Sequence, residues 1–162
     1  MSELTGTSRA AENAGLRVLI AAARFNEFVV RRLVDGALAE LKELGVPDGN
    51  VTLAWAPGAF ELPLVAKTGA GTGRFDAVLC LGAVIRGETD HYLHVATEAA
   101  RGITATSLAT GVPVLFGVLT VDTLDQALER SGGKVGNKGA ETARAAIEMA
   151  HLVARLRGEK HG

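Results

Sequence analysis

The sequence has a single cysteine, Cys80, so it cannot form an internal disulfide. Cys80 falls mid-strand between Leu79 and Leu81 and reads as a small core residue rather than a reactive thiol. Excess charge is also missing. The formal net charge is −1, with no basic stripe of the kind nucleic acid requires. No apolar run approaches the ~18 residues of a membrane span; the longest lie at 77–85 and 112–119. The first fifteen residues are small and polar, with Glu3 and Glu12 among them, and no charged start leads into an apolar stretch. No secretory signal is expected. Internal repeats, linkers and low-complexity blocks are absent too. The first apolar run is not followed by Gly-x-Gly-x-x-Gly. The basic, glycine-rich segment with Lys134, Lys138, Gly132, Gly133, Gly136 and Gly139 lacks both a preceding strand and a Gly-Lys-Ser/Thr ending. Nucleotide binding by those two routes is therefore excluded. The expectation is a soluble cytoplasmic protein with no membrane or nucleic-acid partner, acting on small molecules or on other protein surfaces.

The chain is rich in apolar residues, 48% of 162, enough for one domain with a full core and too many for disorder. It divides into a flexible N-terminal segment at 1–15, a single domain at 16–158 and a polar tail at 159–162. Four apolar runs, at 18–22, 51–55, 77–85 and 114–119, do not alternate with polar residues, which suits strands buried on both faces. Between them, Val30, Leu33, Val34, Ala37, Leu38 and Leu41 follow a helical period, stopped by Gly45 and Pro47. Further helices are predicted from near Phe60, from near Asp90 to Leu108, and from about Lys138 to Arg157. A short one is capped by Thr123 with Gln126 and ends at Ser131-Gly132-Gly133. Strand alternating with helix predicts an α/β fold: a three-layer α/β/α sandwich around a four-stranded parallel sheet.

In such sheets ligands bind outside the carboxyl ends of the strands. The segments there are Arg24-Phe25-Asn26, the stretch 57–63, the stretch 86–91 and Thr120-Val121-Asp122. His91 carries an imidazole, the side chain type most used for proton transfer near neutral pH, and sits in the first turn of a predicted helix. It suits proton transfer, though a solvated histidine at a helix start reads equally well. Free N–H groups at that turn would favour an anion, phosphate first. His94, three residues on, could pair with it on a metal, but no further ligand cluster joins them. Phe25 is either an aromatic platform for a flat ring or ordinary core. Glu61 lies between apolar neighbours and would need a polar partner if buried. Arg130 is either a ligand for an anion or a cation at a helix C-terminus.

Four stretches, at 57–63, 81–92, 112–120 and 129–139, read PGAFELP, LGAVIRGETDHY, VPVLFGVLT and ERSGGKVGNKG. In this order and spacing they resemble the lumazine synthase family, from about Arg17 to the last helix. The resemblance implies a flavodoxin-like sandwich and a cofactor-free, metal-free condensation of 5-amino-6-(D-ribitylamino)uracil with 3,4-dihydroxy-2-butanone 4-phosphate. The products are 6,7-dimethyl-8-ribityllumazine and phosphate, in the penultimate step of riboflavin biosynthesis. By family position Phe25, beside Asn26, stacks on the pyrimidine. Ala59, Phe60 and Glu61 hold the ribityl chain, and the backbone of Ala83, Val84 and Ile85 bonds the pyrimidine edge. Glu88 and Thr89 present the helix start to the phosphate, with Arg130 as its charged partner. Glu88 must then turn its carboxylate away from the anion. His91 moves protons, and Phe116 and Lys138 reach the pocket from a neighbouring subunit.

The resemblance further implies a pentamer with sites at subunit boundaries. The short connection at 132–137 is similar to that of members whose pentamers close into an icosahedral shell. Riboflavin synthase is then a candidate partner, and the N-terminal segment is expected to add a strand to a neighbour's sheet. The rival reading is a non-catalytic flavin-binding or shell-forming protein on the same fold. His91, Thr89 and Arg130 together argue against it, because a pure binder has little use for a proton-transfer and phosphate set. A flavodoxin or a receiver domain is disfavoured by the absence of a hydroxyl-rich phosphate loop or acidic cluster after the first strand.

Overall fold

Strand burial orders the sheet. In the structure, a computed structural model describing residues 1–158, β1 (Val18–Ala23) is buried at every position and β3 (Ala77–Ile85) at all but the last. β2 (Val51–Ala56) and β4 (Val114–Val121) expose Thr52, Leu53, Phe116 and Thr120. The order is β2-β1-β3-β4 and every pairing is parallel. The expectation that all four strands are buried on both faces therefore holds for the central pair only. An edge strand has a neighbour on one side, so its outer side chains meet solvent.

The period-two alternation of the central strands sends successive side chains into two cores. Val18, Ile20, Ala22, Leu79 and Leu81 pack under α1 (Glu27–Glu43) and α5 (Lys138–Leu156). Leu19, Ala21, Ala23, Val78, Cys80 and Val84 pack under α2 (Leu62–Gly71) and α3 (His91–Thr110). Short α4 (Leu124–Arg130) joins the first core through Ala127. The three-layer sandwich read from the sequence is thus the fold. Within each layer the two helices approach closely at a glycine. A Cβ on Gly139 of α5 would collide with the Leu33 carbonyl of α1, and one on Gly102 of α3 would sit 2.6 Å from Pro63 Cγ of α2.

Local signals set the element ends. Gly45 takes φ 83° beyond α1. The Thr123 hydroxyl accepts from the Gln126 N–H at 3.2 Å, capping α4 as its sequence predicts. The return arm lands one residue early: Gln126 Oε1 accepts from the Asp122 N–H at 2.8 Å. The helix expected from near Phe60 begins as a 3₁₀ turn, Ala59–Glu61, before α2. A small antiparallel hairpin that no sequence pattern announced, β5 (Ser131–Gly133) and β6 (Gly136–Asn137), follows α4, its turn resting on positive φ at Gly132 and Gly136.

Residues 1–17 form no strand within the protomer; they run past a 3₁₀ turn, Ala10–Glu12, along α5. Fully buried Asn13 donates to the Leu44 carbonyl at 2.6 Å, and its Oδ1 lies 2.6 Å from His151 Nε2. Arg155 donates to the Thr5 carbonyl at 2.7 Å. The polar tail expected at 159–162 lies outside the described residues. Among the described residues no helix is long and apolar enough to cross a membrane.

Candidate functional site

The order β2-β1-β3-β4 places the first crossover on one side of β1 and the next on the other, so the switch point lies between β1 and β3. The β1–β3 ladder ends at Ala22↔Leu81. Past it, the chain leaving β1 keeps only β2: the Arg24 N–H donates to Ala56 at 2.8 Å and the Phe25 N–H to Pro57 at 3.0 Å. β3 continues to Ile85 with β4 as its one neighbour. Val78 N–H bonds Pro113 and Arg86 N–H bonds Val121, so the even-numbered residues of β3 turn their backbone groups toward β4. The odd-numbered ones face the side that β1 has left. The Ala83 carbonyl there is taken by the Asn26 amide at 2.8 Å. The Ile85 N–H and C=O stay on the open side.

This opening is a cavity of about 360 Å³ lined by Phe25, Asn26, Pro57, Gly58, Ala59, Phe60, Glu61, Ala83, Val84, Ile85, His91, Tyr92 and Val95. Phe25 is 72% exposed and Phe60 58%. The first figure decides between the two readings of Phe25: it is no part of the core, and its ring is free for a flat ligand. Asn26 is the one non-glycine among the described residues with positive φ, 59°, a left-handed conformation that asparagine tolerates better than most side chains. Its backbone turn starts α1 while its side chain staples the Phe25 loop to β3.

Glu61 is exposed on the cavity wall, with Oε2 over Gly58, so the condition under which it would need an internal partner does not arise. The tight 3₁₀ turn that precedes α2 leaves its carboxylate outward. His91 is exposed, opens α3 and lines the cavity; His94 does not line it. Among the described residues no three His, Cys, Asp or Glu side chains cluster at metal-ligating range. Asp90, ahead of α3, makes no side-chain cap; the Leu93 N–H bonds the Asp90 carbonyl at 3.0 Å, and the helix start faces solvent, where an anion is favoured. Glu88 and Thr89 sit on the exposed loop before that turn, where the Thr89 hydroxyl accepts a long 3.4 Å bond from the His91 N–H. In the core under α2 and α3, burial pushes the Cys80 thiol up to about 12, so it is protonated and inert.

Three candidates lie elsewhere in the protomer. Arg130 and Lys138 line a separate hollow of about 270 Å³ beside β4, with Val135 and Glu141. Arg130 Nη1 donates to the Gln126 carbonyl at 3.1 Å and lies 3.9 Å from Glu129, while Lys138 Nζ is 3.4 Å from Glu141. Phe116 is 41% exposed on the outer edge of β4. Sequence reasoning passed over Tyr92 and Val95 as cavity residues. Val95, four residues along the helix from His91, shares its face, and Tyr92 lies three before Val95 at that face's border; this spacing was the available signal.

Residues 15–154 match the family model described as 6,7-dimethyl-8-ribityllumazine synthase, which leaves out only short stretches at either end.

Proposed function

The chain belongs to the 6,7-dimethyl-8-ribityllumazine synthase family, and on that premise we propose that it condenses 5-amino-6-(D-ribitylamino)uracil with 3,4-dihydroxy-2-butanone 4-phosphate. Family membership makes it a transferase of riboflavin biosynthesis. The observation that carries the specific reaction is the cavity at the β1/β3 switch point. An exposed aromatic face, an open strand edge, a carboxylate and an imidazole meet there in about 360 Å³, within the usual range for small-molecule sites.

Each group has a task that its geometry suits. Phe25 stacks on the pyrimidine, whose amide edge continues the interrupted ladder by bonding the Ile85 N–H and C=O. Val84 turns its backbone to β4, so it contributes its side chain to the floor. Glu61, with Ala59 and Phe60, receives the ribityl hydroxyls; an exposed carboxylate accepts them with little desolvation. The uncapped start of α3, behind Glu88 and Thr89, receives the phosphate. The 5-amino group attacks the ketone, and water leaves to give an imine. Phosphate is then eliminated, and the ribitylamino nitrogen closes the ring with loss of a second water. His91 carries protons between these steps. Most of the acceleration comes from holding two reactants together, which needs neither a cofactor nor a metal.

A cation for the phosphate has to come from outside the protomer's own cavity. Arg130 and Lys138 share the hollow beside β4, and Phe116 stands on the same exposed edge. We take all three to act on the cavity of a neighbouring copy. This revises the expectation for Arg130, which by sequence stood with Glu88 and Thr89.

The test is to mix the assembled protein with both substrates and follow lumazine absorbance and fluorescence. Lumazine formation, slower in His91→Ala and in Arg130→Ala, is the expected result. No product from a folded, assembled wild type would overturn the reading and leave a flavin-binding or shell-forming protein.

A further inference from the structure

The segment at 87–90 that carries Glu88 and Thr89 to the start of α3 is exposed throughout, and a Cβ built on Gly87 would meet nothing within 4 Å. A loop with so little against it keeps conformational freedom that any ligand bound there has to remove. Its tertiary ties are at its base, and they converge on Arg86. The Arg86 N–H donates to the Val121 carbonyl at 2.9 Å, fixing the end of β3 to the end of β4. Its guanidinium carbon lies 5.6 Å from the centroid of the Tyr92 ring. Its Nη1 lies 3.8 Å from Asp122 Oδ1, just past β4.

The alternation along β3 explains the reach. Even-numbered Val78, Cys80 and Val84 point into the α2/α3 layer. Arg86 continues that row and meets the first turn of α3. Tyr92 follows His91 directly and lines the cavity. One side chain therefore closes the loop from 86 to 92 and ties it to β4, next to the residue that carries protons.

We propose that Arg86 is a positioning residue: stacked on Tyr92 and paired with Asp122, it holds the 87–91 segment in the geometry that receives the phosphate of the second substrate. The assignment of that substrate rests on the function proposed above; the tether itself does not. Arg86 acts through the loop and Tyr92, without contact with the reacting atoms. A planar guanidinium can stack and pair at once, and an ammonium does so less well.

Two readouts on the intact assembly test this. In Arg86→Met the KM for the butanone phosphate rises by roughly three- to tenfold, with kcat within about twofold. Arg86→Lys recovers part of the shift and Tyr92→Leu reproduces it. In Arg86→Met/Tyr92→Leu the two effects do not add, because each removes the same contact. In the ligand-free protein, backbone amides at 87–91 exchange hydrogen faster in Arg86→Met, with the thermal midpoint little changed. Asp122→Asn weakens the same tether from the β4 side and serves if Arg86→Met fails to fold. Unchanged exchange together with unchanged KM in Arg86→Met overturns the proposal. So does an equal loss in Arg86→Lys and Arg86→Met accompanied by a fallen midpoint, which would mark a merely structural residue. A wild type that makes no lumazine while exchange still responds to Arg86→Met would sink the reaction and leave the tether standing.

Discussion

Asn26 meets two demands at once, a left-handed backbone and a donor for the Ala83 carbonyl, and substitution can separate them. Asn26→Gly keeps the backbone and loses the bond, so a stability loss of about 1 kcal/mol is expected. Asn26→Ala adds the left-handed penalty, for a loss of about 2–3 kcal/mol. Denaturant unfolding of the two variants checks the order; Gly worse than Ala would refute it. At His91 the expectation is catalytic. His91→Ala should slow lumazine formation by roughly ten- to a hundredfold, at or below the range for lost acid–base catalysis, because substrate proximity survives. Cys80 offers a pH test. Its thiol is raised from 9.0 to about 12 by burial. Above pH 9 the unfolded thiol ionises while the folded one stays protonated. The stability it contributes is thus whole below pH 9 and lost as pH climbs toward 12. Unfolding measured from pH 8 to 10.5 should fall less steeply in Cys80→Ala than in the parent chain. Roles such as that of Phe25 were half legible at this scale: the sequence offered platform or core, and only its exposure of 72% chose.

The elements are where sequence signals were most direct. Val30, Leu33, Val34, Ala37 and Leu41 of α1 are buried in the period their spacing announced, while Leu38, read in the same row, is exposed at its border; Thr123 caps α4. What spacing could not convey is which helices touch. Gly139 opens α5 against Leu33 of α1, and the Asn137 cap, accepting from Gly139 N–H at 2.8 Å, donates to the Arg32 carbonyl at 3.0 Å. From sequence, Gly139 belonged to a glycine-rich basic stretch with no assigned purpose. Its physical task is to let two helices approach. Gly139→Ala should cost about 2 kcal/mol or more, despite alanine's better helix propensity, because backbone carbonyl fills the space. A thermal melt equal to or above the parent's would show that the helices can part freely. The β5/β6 hairpin escaped notice because two- and three-residue strands carry no periodicity.

Across the whole molecule, the candidate residues divide into two groups on opposite sides of β3. Phe25, Glu61, Ile85 and His91 meet at the switch point, while Arg130, Lys138 and Phe116 stand at the β4 edge. If a site draws on both groups from different copies, two inactive chains can complement each other. Co-expressed His91→Ala and Arg130→Ala chains should recover activity toward roughly a quarter of the wild-type level, as random pairing within a closed ring of copies gives. Activity no higher than the sum of the two parents would mean that each site is built within one chain. Native mass spectrometry of the same preparation should give a multiple of five chains; an active monomer would dispose of the assembly as proposed.

The sequence by itself determined the strands, the helices and their alternation, because buried runs, helical periods and caps are local properties of residues close along the chain. It also determined the family, through long motifs whose order and spacing survive without coordinates. The tertiary structure decided what depends on residues far apart. It made β2 and β4 the edges and opened the crevice where β1 leaves β3. It turned Glu61 outward from a 3₁₀ turn and set Arg86 between Tyr92 and Asp122. The reason is register. Which backbone groups a strand leaves unpaired, and which side chains two loops bring together, follow from how separate segments align across the sheet, and that alignment is written in no single segment.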